Sequence, residues 1–218
     1  MEKNLGGYQK DRTTSVQYYQ SEVNGELRVK WLDGIKVLNT PHTNYSYGTL
    51  EEVLNYGLDF IPMEGIQSVL LLGMGGGCVI ESLEDKYKCV APITAVEIDP
   101  LIIDIAEKEF GIKPSTDLEI IEADAYDYVL KTKETFDLTI IDIFIDLHVP
   151  AKFYEPEFWL AMKKLVELNG FVLFNTGIDL TEEQINNFLD DLPDCFLYQV
   201  MFHVYQSNTL IILHKYHE

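Results

Sequence analysis

The sequence predicts an α/β fold built on a doubly wound, mostly parallel sheet. Three observations carry that prediction. Strand-like and helix-like runs alternate from about residue 49 onward, and several of the strand runs are continuously apolar. The first of those runs, "SVLLL", leads directly into a glycine cluster that opens a helix.

The strand-like runs are Ser68–Leu72, Ile93–Glu97, Leu118–Ile121, Phe136–Asp142 and Gly170–Asn175. Uninterrupted apolar stretches such as "SVLLL" and "LTIIDIF" suit parallel strands buried on both faces. Between them lie helix-like runs. In "PLIIDIAEKEFG", Pro100 suits a first helical position and Gly111 a stop. Near the end, "CFLYQVMFHVY" and "TLIILHKY" flank "QSN" and read as an antiparallel hairpin, which completes a seven-stranded sheet.

The beginning of the chain has a different style. "SVQYYQSEV" and "ELRVKWLDGIKVLNT" are rich in β-branched and aromatic residues, with turn signals at Asn24-Gly25 and Asp33-Gly34. A helix is then predicted over "YGTLEEVLNYGLDFIP", where Thr49 and Glu52 have the spacing of a capping box and Leu50, Val53, Leu54 and Leu58 form an apolar stripe. We therefore divide the chain into a small N-terminal β-hairpin region, residues 1–48, and a doubly wound domain, residues 49–218.

Composition narrows the function. The chain has 218 residues and 47% hydrophobic residues, enough for a full core. Sixteen basic against thirty-six acidic side chains give a formal net charge of −20. Such a field repels phosphate backbones and anionic membranes, so neither nucleic acid nor a membrane is the expected partner. It is compatible with a cationic small substrate, although acidic surfaces mostly serve solubility. Cys78, Cys89 and Cys195 form no CxxC pair, and reduced thiols are the simple reading. Met1–Arg12 lacks the apolar core of a signal peptide, and no run approaches the ~20 residues of a membrane helix, so a cytoplasmic location is expected.

Gly73, Gly75, Gly76 and Gly77, with Met74 between the first two, form a backbone turn that a ligand can approach closely. Cys78 stands where the dinucleotide fingerprint needs its last glycine, which disfavours a nicotinamide cofactor, and the P-loop lysine is missing too. The cluster alone is equally compatible with a tight strand-to-helix turn that holds nothing. Glu97 tips the balance. It ends the second parallel strand, where an acid accepts from both ribose hydroxyls of a nucleoside lying over the glycines, and Ile98 follows it. Asp99 is read as the cap of the helix beginning at Pro100. Asp124, just past the third strand, either accepts from an adenine amine, with Ala125 meeting a ring nitrogen, or simply caps its helix.

These segments together resemble a known family. "SVLLLGMGGGCVIESL", "AVEIDPLIIDIAEKEFG", "ADAYDYV" and "FDLTIIDIF…YEPEFWLAMKKLVELNGFVLFN" look like the Rossmann-like class I S-adenosylmethionine-binding fold, and within it the spermidine synthase (aminopropyltransferase) superfamily. "VKWLDGIKVLNT…NYSYGTLEEVLNYGL" is similar to that family's N-terminal β region and first helix, so the likeness runs from about residue 16 to the end. The resemblance implies that Gly73 to Gly77 and Glu97 hold the methionyl part and ribose of the cofactor, and that Asp124 with Ala125 holds the adenine. It also implies a homodimer paired through the N-terminal region, a pairing that exposed sheet edges there favour independently.

The departures bear on the transferred group. The family's glycine loop carries an aspartate where this chain has Gly76, and its acidic pair before the first helix corresponds to Thr43 and Asn44. Its D-x-x-D after the fourth strand becomes "DIFID", which keeps Asp142 but places Ile145 at the second acidic position and Asp146 one further on. A polyamine site needs such carboxylates, because an unpaired buried charge costs several kcal/mol. The expected function is therefore methyl transfer from S-adenosylmethionine to a small acceptor. The alternatives are a polyamine aminopropyltransferase with a rearranged acidic site, using decarboxylated S-adenosylmethionine, and a nucleoside-binding protein without catalysis.

Asp142 is the best-placed base or acceptor-orienting group, at the sheet's carboxyl edge, although it too can merely cap the loop backbone. Asp146 and His148 follow in a loop expected to cover the acceptor, and Tyr45 and Tyr47 are candidates for its wall. No residue cluster has metal-ligand spacing.

Overall fold

The computed structural model describes residues 16–32, 34–41, 44–145, 147–178, 180–206 and 208–218, and of residues 44 and 45 the backbone alone. The Met1–Arg12 stretch, Asp33, Thr43 and Asp146, and the side chains of Asn44 and Tyr45, lie outside the described residues.

The N-terminal region is a four-stranded antiparallel sheet in the order β1 (Gln17–Ser21), β2 (Gly25–Leu32), β3 (Ile35–Asn39) and β4 (Asn44–Ser46). Ser21 pairs with Gly25, so the first turn is the three-residue loop Glu22–Asn24, one residue longer than a two-residue Asn-Gly turn. Leu32 pairs with Ile35, matching the second predicted turn. Alternation along β2 places Leu27 and Val29 on one face, where they join Leu38 of β3 and pack against Ile102 and Ile105 of the helix α3 (Pro100–Ile105).

The larger sheet has seven strands. Five are parallel: β5 (Val69–Leu72), β6 (Ile93–Glu97), β7 (Leu118–Glu122), β8 (Phe136–Ile141) and β9 (Val166–Asn175). Strands β10 (Phe196–Val204) and β11 (Asn208–Lys215) form the C-terminal hairpin, and β11 runs antiparallel to β9. The spatial order is β10-β11-β9-β8-β5-β6-β7. The chain thus lays down β5, β6 and β7 in one direction and returns to add β8 on the other side of β5. That reversal is the topological switch point, where open α/β sheets leave a crevice at their carboxyl ends.

Both sheet faces are covered, which is why the strands read as continuous apolar runs. Val69 and Leu71 face a cluster with Val53, Leu54 and Leu58 of α1 (Thr49–Leu58). Leu70 and Leu72 face the opposite cluster, with Val129 of α4 (Ala125–Lys131), Trp159 of α5 (Pro156–Leu165) and Ile185 of α6 (Glu182–Asp190). Burying one such leucine contributes about 2 kcal/mol. The helix ion pairs Lys108–Asp104 and Lys131–Asp127 are exposed and screened by solvent, so the core decides the architecture.

The start of α1 differs from the sequence reading. Gly48 is the N-cap and Thr49 already lies in the first turn, so the Glu52 amide bonds to the Gly48 carbonyl and no Thr49–Glu52 capping box forms. A reciprocal capping box is found instead at Thr181 and Gln184 of α6. Asp99 caps α3 as expected, and Gly111 ends the π-helical turn Ala106–Phe110 that continues it. Among the described residues, no helix is long and apolar enough to cross a membrane.

Candidate active site

The switch point shapes the site. The Gly73 amide bonds to the Val96 carbonyl at 2.9 Å and the Asp142 amide to the Leu72 carbonyl at 2.9 Å, so the β5–β6 and β5–β8 ladders persist to the strand ends. Above them opens a cavity of about 320 Å³. Gly73, Met74, Gly75, Glu97, Ile98, Asp124, Ala125 and Asp142 all line it, which gathers most of the predicted nucleoside-binding residues in one place.

Two loop glycines do not line it. Gly77 faces Ile112, whose Cγ1 lies 2.5 Å from where a Cβ would stand, and Gly76 faces Ser46 and Tyr47. A Cβ at Gly76 would meet the Ser46 Cβ and Oγ at 3.0 Å and the Tyr47 ring at 3.3 Å. The backbone turn alternates direction, so one side of the loop addresses the cleft and the other serves as packing. Met74 lines the cavity, and Cys78 sits beside it as a buried thiol that burial pushes up to about 12, which keeps it protonated.

Glu97 is buried and held from two sides. Its Oε2 accepts from the Gly75 amide at 3.1 Å and its Oε1 from the Asp99 amide at 3.0 Å. Burial raises this carboxyl above its ordinary value, against the pull of those two N–H groups. Asp99 continues the chain of contacts. Its carboxylate caps Leu101 and accepts from Ser21 Oγ and from Asn24 Nδ2 at 2.7 Å, so the β1–β2 turn is latched beside the glycine loop. Val23 and Asn24 of that turn line the cavity.

Asp124 caps α4 through the Tyr126 amide at 2.8 Å, the simpler of its two sequence readings. Its other oxygen is 2.6 Å from Lys152 Nζ, which also lies over the Tyr126 and Phe153 rings. Burial alone would raise Asp124, but Lys152 and the capping amides together hold it below its usual value. An adenine amine would share this carboxylate with Lys152.

Asp142 is half-buried at the end of β8. Asn175, fully buried at the end of neighbouring β9, donates from Nδ2 to Asp142 Oδ1 at 2.9 Å. Burial raises Asp142 to about 6, and the Asn175 bond opposes that rise. A general base works best with a pKa near the working pH, so this carboxylate is suited to taking a proton near neutrality.

The predicted acceptor wall is only partly found. Tyr47 is buried, stacked on Phe110 with centroids 4.6 Å apart, and its hydroxyl donates to the Gly76 carbonyl at 3.3 Å. Burial, then neighbouring Glu81, pushes its phenol upward. Tyr47 is a structural residue on the far side of the glycine loop and does not line the cavity. His148 is exposed and its backbone pairs with Ile145, so it does not line the cavity either. Asp146 and the Tyr45 ring are outside the described residues. Apolar groups including Ile143, Phe144, Ile145, Leu147 and Ile178 form much of the wall near Asp142.

Sequence reasoning missed Asn175, Lys152 and Asn24. Asn175 had a usable signal, since it is a polar residue at the carboxyl end of a parallel strand, the same signal that located Asp142. Lys152 and Asn24 had none, because their partners are 28 and 75 positions away.

The Gly76 contacts yield a direct prediction. Gly76→Asp should lower stability by about 1–3 kcal/mol, because the new side chain must displace the Ser46–Tyr47 wall. Urea denaturation measures this, and an unchanged midpoint would mean that the wall yields freely.

Comparison with known proteins adds the family. Residues 51–213 match the spermine/spermidine synthase domain. A polyamine aminopropyltransferase of Buchnera aphidicola is 30% identical over 168 residues, covering 75% of this chain and 56% of that protein, so the chain spans little more than half of that relative's length. Human methyltransferase-like protein 13, solved with SAH, superposes with a TM-score of 0.63 at 22% identity, covering 78% of this chain and 83% of that one. A spermidine synthase solved with the transition-state analogue AdoDATO gives a TM-score of 0.61 at 18% identity, covering 95% of this chain and 72% of that one. At such identities the two structures establish the fold alone. Curated relatives named polyamine aminopropyltransferase, which match over more of the chain than a methyltransferase relative does, overturn the expected methyl transfer. Gly76 misled the sequence reading for a physical reason. A side chain there would press on Ser46 and Tyr47, and local packing says nothing about which bond to sulfur breaks. With three quarters of its residues inside the family's domain, this chain belongs to the spermine/spermidine synthase domain family, as an enzyme of the S-adenosylmethionine-type fold.

Proposed function

We propose that the chain transfers an aminopropyl group from decarboxylated S-adenosylmethionine to an amine acceptor. The carrying observation is Asp142, a carboxyl raised to about 6 that stands beside the glycine loop at the switch point of the sheet. The relatives' names support the same reaction class. The net charge of −20 supports the approach of cationic donor and acceptor.

The cavity of about 320 Å³ is at the lower end of the range for small-molecule sites and suits an adenosyl ligand with an extended tail. Gly73, Met74 and Gly75 would receive the part of the donor next to sulfur. Glu97 retains a lone pair on each oxygen for the ribose hydroxyls, and Asp124 with Ala125 would border the adenine. In the reaction the acceptor nitrogen forms a bond to the propyl carbon as the carbon–sulfur bond breaks, and sulfur keeps the electron pair, giving methylthioadenosine. Asp142 orients the acceptor and takes the proton its nitrogen sheds, which then passes to solvent. Asp146, the next acid in the sequence after Asp142, is the candidate for a second contact to the acceptor.

The test is mass spectrometry after incubation with decarboxylated S-adenosylmethionine and putrescine, spermidine or cadaverine. Methylthioadenosine and an aminopropylated amine should appear in equal amounts. Absence of methylthioadenosine above the enzyme-free control with every amine would overturn the reading.

A further inference from the structure

One buried and fully bonded polar group near the cavity is not used by the reaction above. Asn175 is fully buried, yet both ends of its amide are bonded: Nδ2 donates to Asp142 Oδ1 at 2.9 Å, and Oδ1 accepts from the Gly177 amide at 3.1 Å. The second bond sets the first. Only the oxygen end of the amide can receive the Gly177 N–H, so the nitrogen end must face Asp142.

Gly177 is itself locked. Its φ is +67°, its amide serves Asn175, and its carbonyl receives the Thr209 amide at 2.9 Å from β11. Thr176 adds two bonds to the Thr209 carbonyl, from its amide and its hydroxyl, each at 3.0 Å. A Cβ at Gly177 would stand 2.7 Å from the ring of Phe144, which lies in the loop that follows Asp142. The turn after β9 is therefore pinned to β11 on one side and to the Asp142 loop on the other, and Asn175 is the polar connection between them.

Resting on the aminopropyl-transfer reading, we infer that Asn175 is a positioning residue whose amide occupies Asp142 Oδ1 and so turns Oδ2 toward the acceptor's amine. The same N–H favours the ionised carboxylate, which is the form able to orient and deprotonate that amine. Among the described residues, the titratable groups around Asp142 are the Cys78 thiol from α2 (Cys78–Glu81), neutral at working pH, and the cavity-wall groups Glu97, Asp124 and Lys152. None of these groups hydrogen-bonds to the Asp142 carboxylate, whose partner among the described residues is Asn175.

The experiment is a carbon-13 NMR titration of protein labelled at the aspartate γ-carbon, with Asp142 assigned by loss of its signal in Asp142→Asn. Asn175→Leu keeps the branched shape of the side chain, though it is bulkier, and removes the donor. Its Asp142 midpoint should rise by about one pH unit. The acid limb of the pH profile of methylthioadenosine release should move up with it, so that the loss of rate is greatest near pH 6 and narrows in alkaline buffer. Calorimetric affinity for methylthioadenosine should be unchanged, which reports an intact nucleoside site. If Asn175→Leu does not fold, Asn175→Ser supplies the same comparison with a short, weaker donor. An unmoved Asp142 midpoint in a folded variant overturns the inference. Because the NMR midpoint requires no turnover, an inactive parent enzyme would count against the proposed reaction and not against this role of Asn175.

Discussion

Replacing Asp142 by asparagine should abolish most turnover and at the same time make the protein more stable above pH 6. Loss of a positioned base lowers the rate by about 10²–10⁴. Stability moves the other way because the carboxyl is harder to ionise folded, at about 6, than at its ordinary 3.8. The folded state binds the proton more tightly across that window, so the contribution to stability is complete below pH 4 and is lost as pH rises through 6. The two-unit gap corresponds to a ceiling of about 3 kcal/mol, and contact with the open cleft reduces it to about 1–2 kcal/mol. Asparagine keeps an oxygen for Asn175 and carries no charge. Urea midpoints should therefore coincide for parent and variant near pH 4 and separate in favour of the variant at pH 8. Equal midpoints at both pH values would show that Asp142 is solvated like a surface acid.

The second large effect is expected at Gly73. Its φ is +86°, and an added Cβ would fall inside the contact distance of the Asp142 carbonyl oxygen and 2.9 Å from the carbonyl carbon. Neither atom can swing aside as a side-chain tip would, because the Asp142 backbone is bonded to β5. Gly73→Ala carries about 1 kcal/mol for the left-handed backbone, and the overlap adds roughly 2–3 kcal/mol. Relief requires β5 and β8 to separate where the site is built, so turnover should fall about 100-fold as well. Thermal unfolding should show a drop of roughly 10 °C. A variant within 2 °C of the parent would mean that the strands part more easily than their ladder implies.

What could be read from the sequence followed the range of the interactions. Strand β5 was legible because all four of its residues are buried and the run has no polar interruption. Pro100 and Gly111 marked their helix because both act on their own backbone. The polar strand β4, with the sequence Asn-Tyr-Ser, had no such signal, and it forms because β3 offers it an edge. The helix after it was legible, while its cap was not, since Gly48 takes that place through its conformation and not through a side chain. In the site, Glu97 and Asp142 could be found because a strand end is a local feature. Tyr47 was open to two readings, cavity wall or packing, for the complementary reason. Proximity in sequence to the helix start suggested the cavity wall, whereas the ring is held by Phe110, which lies far along the chain.

The latch between the β1–β2 turn and Asp99 also has a consequence for how the molecule comes into being. Leu27, Val29 and Leu38 complete their cluster on Ile102 and Ile105, and Ser21 and Asn24 find their acceptor at Asp99. During synthesis β1 to β3 are made well before those partners exist, and until then the face carrying Leu27, Val29 and Leu38 lacks its cover. Its closure must wait for α3, which docks on β6. The part of the cleft wall that Val23 and Asn24 supply is thus made firm only after α3, some seventy-five positions further along, has formed.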